Sequence, residues 1–176
     1  MKMIRLFSPA RDNISSPHLG AIFDYWQSLR GDRSAPAIAD FDPLGLPPAA
    51  LRYIIIADVF ARPFRVKYRL VGTHGVNVAG FDFTGYFLHE LDMPEDAVEQ
   101  IEQNLAYVAS TCLPLAGEYD WPTVDNAGRI DVEYIVLPMH KDGIVTRLLM
   151  AEHVGQNGKV WPDDIIPIAP MGAKVS

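Results

Sequence analysis

The sequence predicts an α+β fold: a five-stranded antiparallel sheet with short helices and one long helix on one face, preceded by an amphipathic helix. Three observations carry this. Residues 64–72 (FRVKYRLVG) alternate, with Val66, Tyr68 and Leu70 on one side and Arg65, Lys67 and Arg69 on the other, the period-two pattern of a half-buried strand. After residue 92 a helical stripe of Val98, Ile101, Leu105 and Val108 appears. Residues 113–154 then hold three strand-like runs separated by turn sequences, Asp125-Asn126-Ala127-Gly128 and Lys141-Asp142-Gly143.

Taken in order, residues 1–16 read as a flexible or strand-like lead-in. A helix follows with Ser16 as N-cap and Pro17 at its first position, closed by Arg30 and Gly31. Its apolar stripe, Leu19, Ile22, Phe23, Trp26 and Leu29, needs covering. The chain's own sheet, a second copy of the chain, or both together can cover it, and a second copy makes these residues a homodimer interface. Residues 17–52 are this helix and a connector, with a turn at Asp40-Phe41-Asp42-Pro43 and a short helical piece from Pro47-Pro48 to about Arg52. The main domain is 53–154. Residues 53–60 (YIIIADVF) have an apolar centre that suggests burial on both faces, and Ala61-Arg62-Pro63 joins them to the next strand as a hairpin. Short helical turns fill 73–92. The long helix starts with Asp92 and Glu95 spaced as a capping box and Pro94 in the first turn, and ends near Ser110. Strands follow at 113–121, 129–139 and 144–154. Residues 155–176 have prolines and no helical period, and read as a tail, draped over the domain or disordered. The two strand groups can pair into one sheet, the later helices cover one face, and the front helix is available for the other.

Composition narrows the function. With 49% hydrophobic and 21% charged residues the chain is globular in type. A net charge of -7 argues against nucleic acid; the cluster Arg65, Lys67, Arg69 is a solvated strand face. Cys112 is the sole cysteine, which rules out an internal disulfide or multi-cysteine metal site and suits a reducing cytoplasm. No run is apolar enough for a signal sequence or a membrane span, so a cytoplasmic protein is expected.

The element order, together with Trp26 and Leu29-Arg30-Gly31, Asp42-Pro43, Tyr68-Arg69-Leu70-Val71-Gly72-Thr73, Asp82 with Thr84-Gly85, Leu137-Pro138 and Asp142-Gly143, resembles the single-domain PAS-like proteins common in alphaproteobacteria. These pieces span residues 18–154. Met139 departs from the leucine expected after the Leu-Pro pair. The resemblance implies a sensory or protein-interaction domain and not a catalyst.

The resemblance also implies a pocket between the inner sheet face and the short helices. Tyr68, His74, Phe83, Tyr86, Ile101, Leu105, Tyr119, Trp121 and Tyr134 are its candidate lining, an apolar set with a few polar groups. The plainer alternative is that these side chains fill one another's space. His74, just past a strand end, could hold a ligand or haem iron, as could His89; both are also ordinary surface histidines. The residues name no cofactor and no metal. Flavin-thiol photochemistry needs a cysteine in the short helices, where there is none, and Cys112 suits packing. Glu118 and Asp120 share a strand face, where carboxylates solubilise more often than they catalyse. Gly72, Gly75 and Gly80 lack phosphate-loop spacing. The leading expectation is therefore a stand-alone regulatory module, a homodimer acting through a small apolar ligand, a signalling partner protein, or both. The alternatives are a small enzyme on a cone-shaped α+β fold using Asp58 as a buried acid, and a ligand-free structural adaptor.

Overall fold

The computed structural model describes residues 2–122, 129–154 and 169–170. In chain order the elements are β1 (Lys2–Phe7), α1 (Pro17–Arg30), α2 (Pro48–Leu51), β2 (Ile54–Ala61), β3 (Phe64–Val71), α3 (Thr73–Ala79), β4 (Leu91–Asp92), α4 (Glu95–Thr111), β5 (Leu115–Pro122), β6 (Arg129–Lys141), β7 (Ile144–Val154) and β8 (Ala169–Pro170). Six strands form one antiparallel sheet in the order β1-β5-β6-β7-β2-β3, while β4 and β8 pair separately. The strand-like lead-in thus adds a sixth strand, β1, to the edge of the five expected. The turn at residues 125–128 lies outside the described residues. So does the tail apart from its Ala169–Pro170 pairing.

A strand with two apolar faces has to lie where both are covered, and β2 does. Ile54 and Ile56 enter a core shared with Leu19, Ile22, Phe23 and Trp26 of α1, and with Ile135, Leu137, Met139 and Leu149. Ile55, Ala57 and Val59 enter a second core on the opposite face with Val66, Tyr68, Phe83, Leu105, Val108, Leu148 and Met150. The sheet is therefore the middle of three layers.

The first core explains α1. Ser16 Oγ accepts the Leu19 N–H at 3.4 Å, Pro17 occupies the first turn and Gly31 ends the helix at φ +54°, as the sequence suggests. Tertiary structure adds two clamps. Glu133 of β6 accepts the N–H groups of Ser15 (2.7 Å) and Ser16 (2.8 Å), placing an anion at the helix start. Trp26 Nε1 donates to the Pro138 carbonyl at 2.9 Å. Leu19, Ile22, Phe23 and Trp26 are 0–3% exposed and Leu29 is half-buried. The expected dimer interface is corrected accordingly: the stripe covers the chain's own sheet, so these side chains are not presented to a second copy.

Two further expectations change. The register of β2 and β3 shifts between Ile56 (opposite Leu70) and Ala57 (opposite Tyr68), leaving Arg69 as an extra residue. The bulge turns Leu70 away from Val66 and Tyr68. It lines an open groove on the α1 side with Ile38, Phe41, Ile56 and Met139, and is 37% exposed. The long helix begins at Glu95 with Pro94, which has no side-chain acceptor, at its N-cap position, and Asp92 lies in β4 instead of capping it. The Lys141–Ile144 hairpin takes positive φ at Asp142 (52°) and Gly143 (80°), the combination a two-residue type I′ turn requires.

Each fully buried stripe residue of α1 contributes roughly 1.5–3 kcal/mol by burial. Trp26→Ala is expected to cost about 3–5 kcal/mol in urea unfolding, since it removes a large buried ring and leaves the Pro138 carbonyl without that donor. Ile22→Glu should lose its far-UV and near-UV circular dichroism together. A folded Ile22→Glu monomer arising from a dimeric parent would place the stripe at an interface after all.

Candidate functional site

The face of the sheet under α4 carries the sequence-predicted lining. Tyr68, Phe83 and Leu105 are buried there, and Tyr86, Ile101 and Tyr134 are half-buried against the same core. Phe83 meets Tyr68 edge-on at 4.8 Å, and Phe81 lies 6.0 Å from Phe83 and 6.1 Å from Tyr86. This aromatic loop is held by its own turn chemistry. Asp82 Oδ1 accepts the Thr84 N–H at 2.9 Å and Gly85 takes φ +90°, a conformation costly for any residue with a Cβ. The loop then lies along the outer edge of β3, where Gly85 N donates to Tyr68 O (2.7 Å) and Tyr68 N to Tyr86 O (2.9 Å).

Within this apolar surface runs a row of polar groups. Gln100 Nε2 donates to Asn104 Oδ1 at 3.3 Å, and Asn104 Nδ2 donates to the Tyr134 hydroxyl at 3.0 Å. The Tyr134 ring stands 5.6 Å from Tyr119, whose hydroxyl donates to Glu152 Oε2 at 3.1 Å. Four elements supply the row: α4, β5, β6 and β7. Tyr134 lies across its neighbour Gly117, where an added Cβ would come within 2.7 Å of the ring; the absence of a side chain at 117 makes room for it.

Burial sets the charge state of this row. It raises the Glu152 carboxyl above its ordinary pKa, with the Tyr119 hydroxyl pulling the other way. It also raises Tyr119 well above the usual phenol range, the nearby Glu152 charge adding to the effect. Tyr68 is raised by burial and then by Glu152, and Tyr134 by burial. Three neutral phenols therefore surround one carboxyl group, a set suited to hydrogen bonding and not to proton abstraction by a phenolate.

Other predicted residues lie elsewhere. The backbone of Trp121 is in β5, and its side chain is outside the described residues. His74 does not face the row: its ring packs on Tyr53, 4.5 Å away, and on His153. His89 is exposed and stacks on Phe87 at 5.4 Å. Glu118 is paired with Arg5 of β1. Cys112 ends α4 at φ 57°, packs against both cores, and has its thiol pKa raised by burial, the opposite of what a nucleophile needs. Asp58 lies on the α1 side with its side chain 27% exposed, accepting Arg147 Nε at 2.7 Å and facing Arg69 at 3.4 Å. It is a fixed ion-pair partner and not an isolated buried acid.

Asn104, Glu152 and Gly117 were not anticipated, though two of them carry a signal. Asn104 interrupts the apolar stripe of α4 beside Leu105, on the buried side, where it is 8% exposed. Glu152 shares strand parity with Leu148 and Met150 and so faces their core. Gly117 has meaning only once Tyr134 is known to be its cross-strand neighbour.

Among the described residues no helix is long and apolar enough to cross a membrane, and no three His, Cys, Asp or Glu side chains are placed to hold a metal ion. A comparison with curated proteins finds no match. The sequence profile described as a PAS domain matches residues 14–150, from just before α1 into β7, and with three layers built on the expected order of strands and helices the chain belongs to the PAS domain family.

Proposed function

We propose that this PAS domain is a sensory or regulatory module that takes a small molecule on the α4-covered face of its sheet and passes the result on by protein contact. The observation that carries the reading is the polar row Gln100–Asn104–Tyr134 and Tyr119–Glu152 inside an otherwise apolar surface. Burying such groups costs desolvation that a purely structural core avoids with apolar side chains. An apolar wall of Tyr68, Phe83, Tyr86, Ile101 and Leu105 with a short run of hydrogen-bonding groups is the composition of a small-molecule site. It suits a compact, largely apolar ligand with one or two neutral hydrogen-bonding groups. A ligand shifts output only through unequal affinity for two states of the domain.

PAS domains are in general sensory modules without catalysis of their own, and the ion-paired Asp58 supports the same reading here. Output to a second protein, or to a second copy of this chain, has to use exposed groups. Leu6, Leu44, Tyr107, Leu113 and Ile144 are large apolar side chains left exposed among the described residues, and the α1 stripe is not among them.

Native mass spectrometry of the full chain as purified, against its denatured mass, tests the reading. An excess mass that leaves on denaturation, and is lost in a Leu105→Trp variant that fills the site, is the expected result. Bare mass in the parent, together with no thermal shift across a library of small apolar compounds, would favour the ligand-free adaptor. The same measurement gives the oligomeric state.

The row also has a predicted pH signature. A carboxyl whose pKa is higher folded than unfolded holds more protons in the folded state, so its contribution to stability falls as pH rises above about 4.5, the ordinary carboxylate value. Tyr119→Phe removes the donor that the ionised form needs. It should therefore cost about 1.5–3 kcal/mol at about pH 8 and less at about pH 5, with Glu152→Gln abolishing the difference in urea midpoints. Equal costs at both pH values would mean that Tyr119 does not serve the carboxylate.

A further inference from the structure

We propose that His18, His74 and His153, packed around Tyr53, form a proton-sensitive contact that fastens the start of α1 to the end of the sheet and to α3, and that acidification opens it. The inference is independent of the ligand site, which lies on the other face of the sheet.

Four elements meet at this contact. His18 is the second residue of α1, Tyr53 directly precedes β2, His74 is the second residue of α3 and His153 is near the end of β7. The His18 ring stacks on Tyr53 at 4.4 Å and 16°, and His74 lies 4.5 Å from the same ring at 40°. His153 flanks all three, 5.8 Å from Tyr53, 6.3 Å from His18 and 6.4 Å from His74. His74 Nε2 and His153 Nδ1 are buried with no hydrogen-bond partner among the described residues.

A neutral imidazole tolerates a buried nitrogen that carries no proton, because only a weak acceptor goes unused. Adding the proton creates a buried cation whose N–H has no acceptor. The surrounding charges reinforce this. The Arg52 guanidinium lies 5.6 Å from the Tyr53 ring, and the other histidines repel a new positive charge. His18 sits at the positive end of the α1 dipole. Glu133, the cross-strand neighbour of His153, is among the described residues the one carboxylate that pulls in the opposite direction, and it is engaged with the Ser15 and Ser16 amides. Consistent with the packing, burial and then His153, Arg52 and His18 lower the His74 pKa to about 4. Burial and then His18 lower that of His153.

For histidines with a folded pKa below the unfolded one, the unfolded or opened state binds more protons between the two values. The contact is then fully stable above about pH 6.5 and weakens as pH falls toward about 4. This is the reverse of the Glu152 trend, so the two systems separate experimentally. Opening frees the first turn of α1, which the Glu133 clamp and His18 hold, while Trp26 keeps the far end of the helix in place.

The test is an NMR titration of the imidazole resonances of the full chain, with hydrogen-exchange protection of residues 17–22 and 73–79 read at about pH 7.5 and about pH 5. The expected result is that His74 and His153 titrate below the ordinary imidazole value of about 6.5. The opening constant of those two segments, corrected for intrinsic exchange and referenced to the middle of β6, should rise about tenfold on acidification. His74→Phe, which keeps the ring and removes the titration, should reduce that rise to about twofold, while Glu152→Gln leaves it intact. Ordinary titration of His74 and His153 near about pH 6.5, or an equal response in the parent and in His74→Phe, would overturn the proposal. Should His74→Phe not fold, the parent titration and His153→Phe decide it in the same way.

Discussion

The run Ile54-Ile55-Ile56-Ala57 cannot be wetted on either side without losing several kcal/mol, and the architecture answers that constraint. β2 sits between β7 and β3. Its even-numbered residues need α1 as a cover, and its odd-numbered ones need α4 and the aromatic loop. Without α1 the α1-side faces of Ile54, Ile56, Ile135, Leu137, Met139 and Leu149 would form one continuous exposed patch, too large for a monomer in water. The N-terminal helix is therefore part of the core.

The residues that carry the PAS resemblance are mostly those that make the chain turn and close. Trp26 locks α1 to the Pro138 carbonyl. Asp42 Oδ1 accepts the Leu44 N–H at 2.9 Å, and its carbonyl takes the Tyr25 hydroxyl at 2.9 Å. Gly72 passes so near the Arg52 carbonyl that a Cβ would stand 2.3 Å from its oxygen. Asp82, Gly85, Asp142 and Gly143 shape the aromatic loop and the last hairpin. These positions report the backbone path. The polar row in this domain's interior, Asn104, Tyr119, Tyr134 and Glu152, lies outside those motifs.

β7 joins the two polar systems. Its successive residues Glu152 and His153 point to opposite faces, one into the row beneath α4 and the other into the histidine contact at α1. Burial shifts the two pKa values in opposite directions, up for Glu152 and down for His153, because a buried acid and a buried base each favour the neutral form. A strand with one residue in each system is a direct physical connection between the α4-covered face and the helix on the far side. Its rigidity comes from ten register pairs with β6 and five with β2.

What the sequence determined by itself is everything that depends on local period and turn chemistry. The ends of α1 at Ser16-Pro17 and Gly31, the 64–71 and 144–154 strands, the Asp142-Gly143 turn and the doubly buried character of 54–57 follow from neighbouring residues alone. Tertiary structure decided what depends on who lies opposite. It chose the chain's own sheet over a second copy as the cover for Leu19, Ile22, Phe23 and Trp26. It added β1 to the sheet edge, placed the bulge at Arg69 that turns Leu70 outward, and drew His74 away from the expected pocket to Tyr53. The physical reason is that a side chain's period fixes the face it takes on its own element, whereas its partner is fixed by strand register and layer packing, which join residues more than 100 positions apart, as in Trp26 and Pro138 or Ser16 and Glu133.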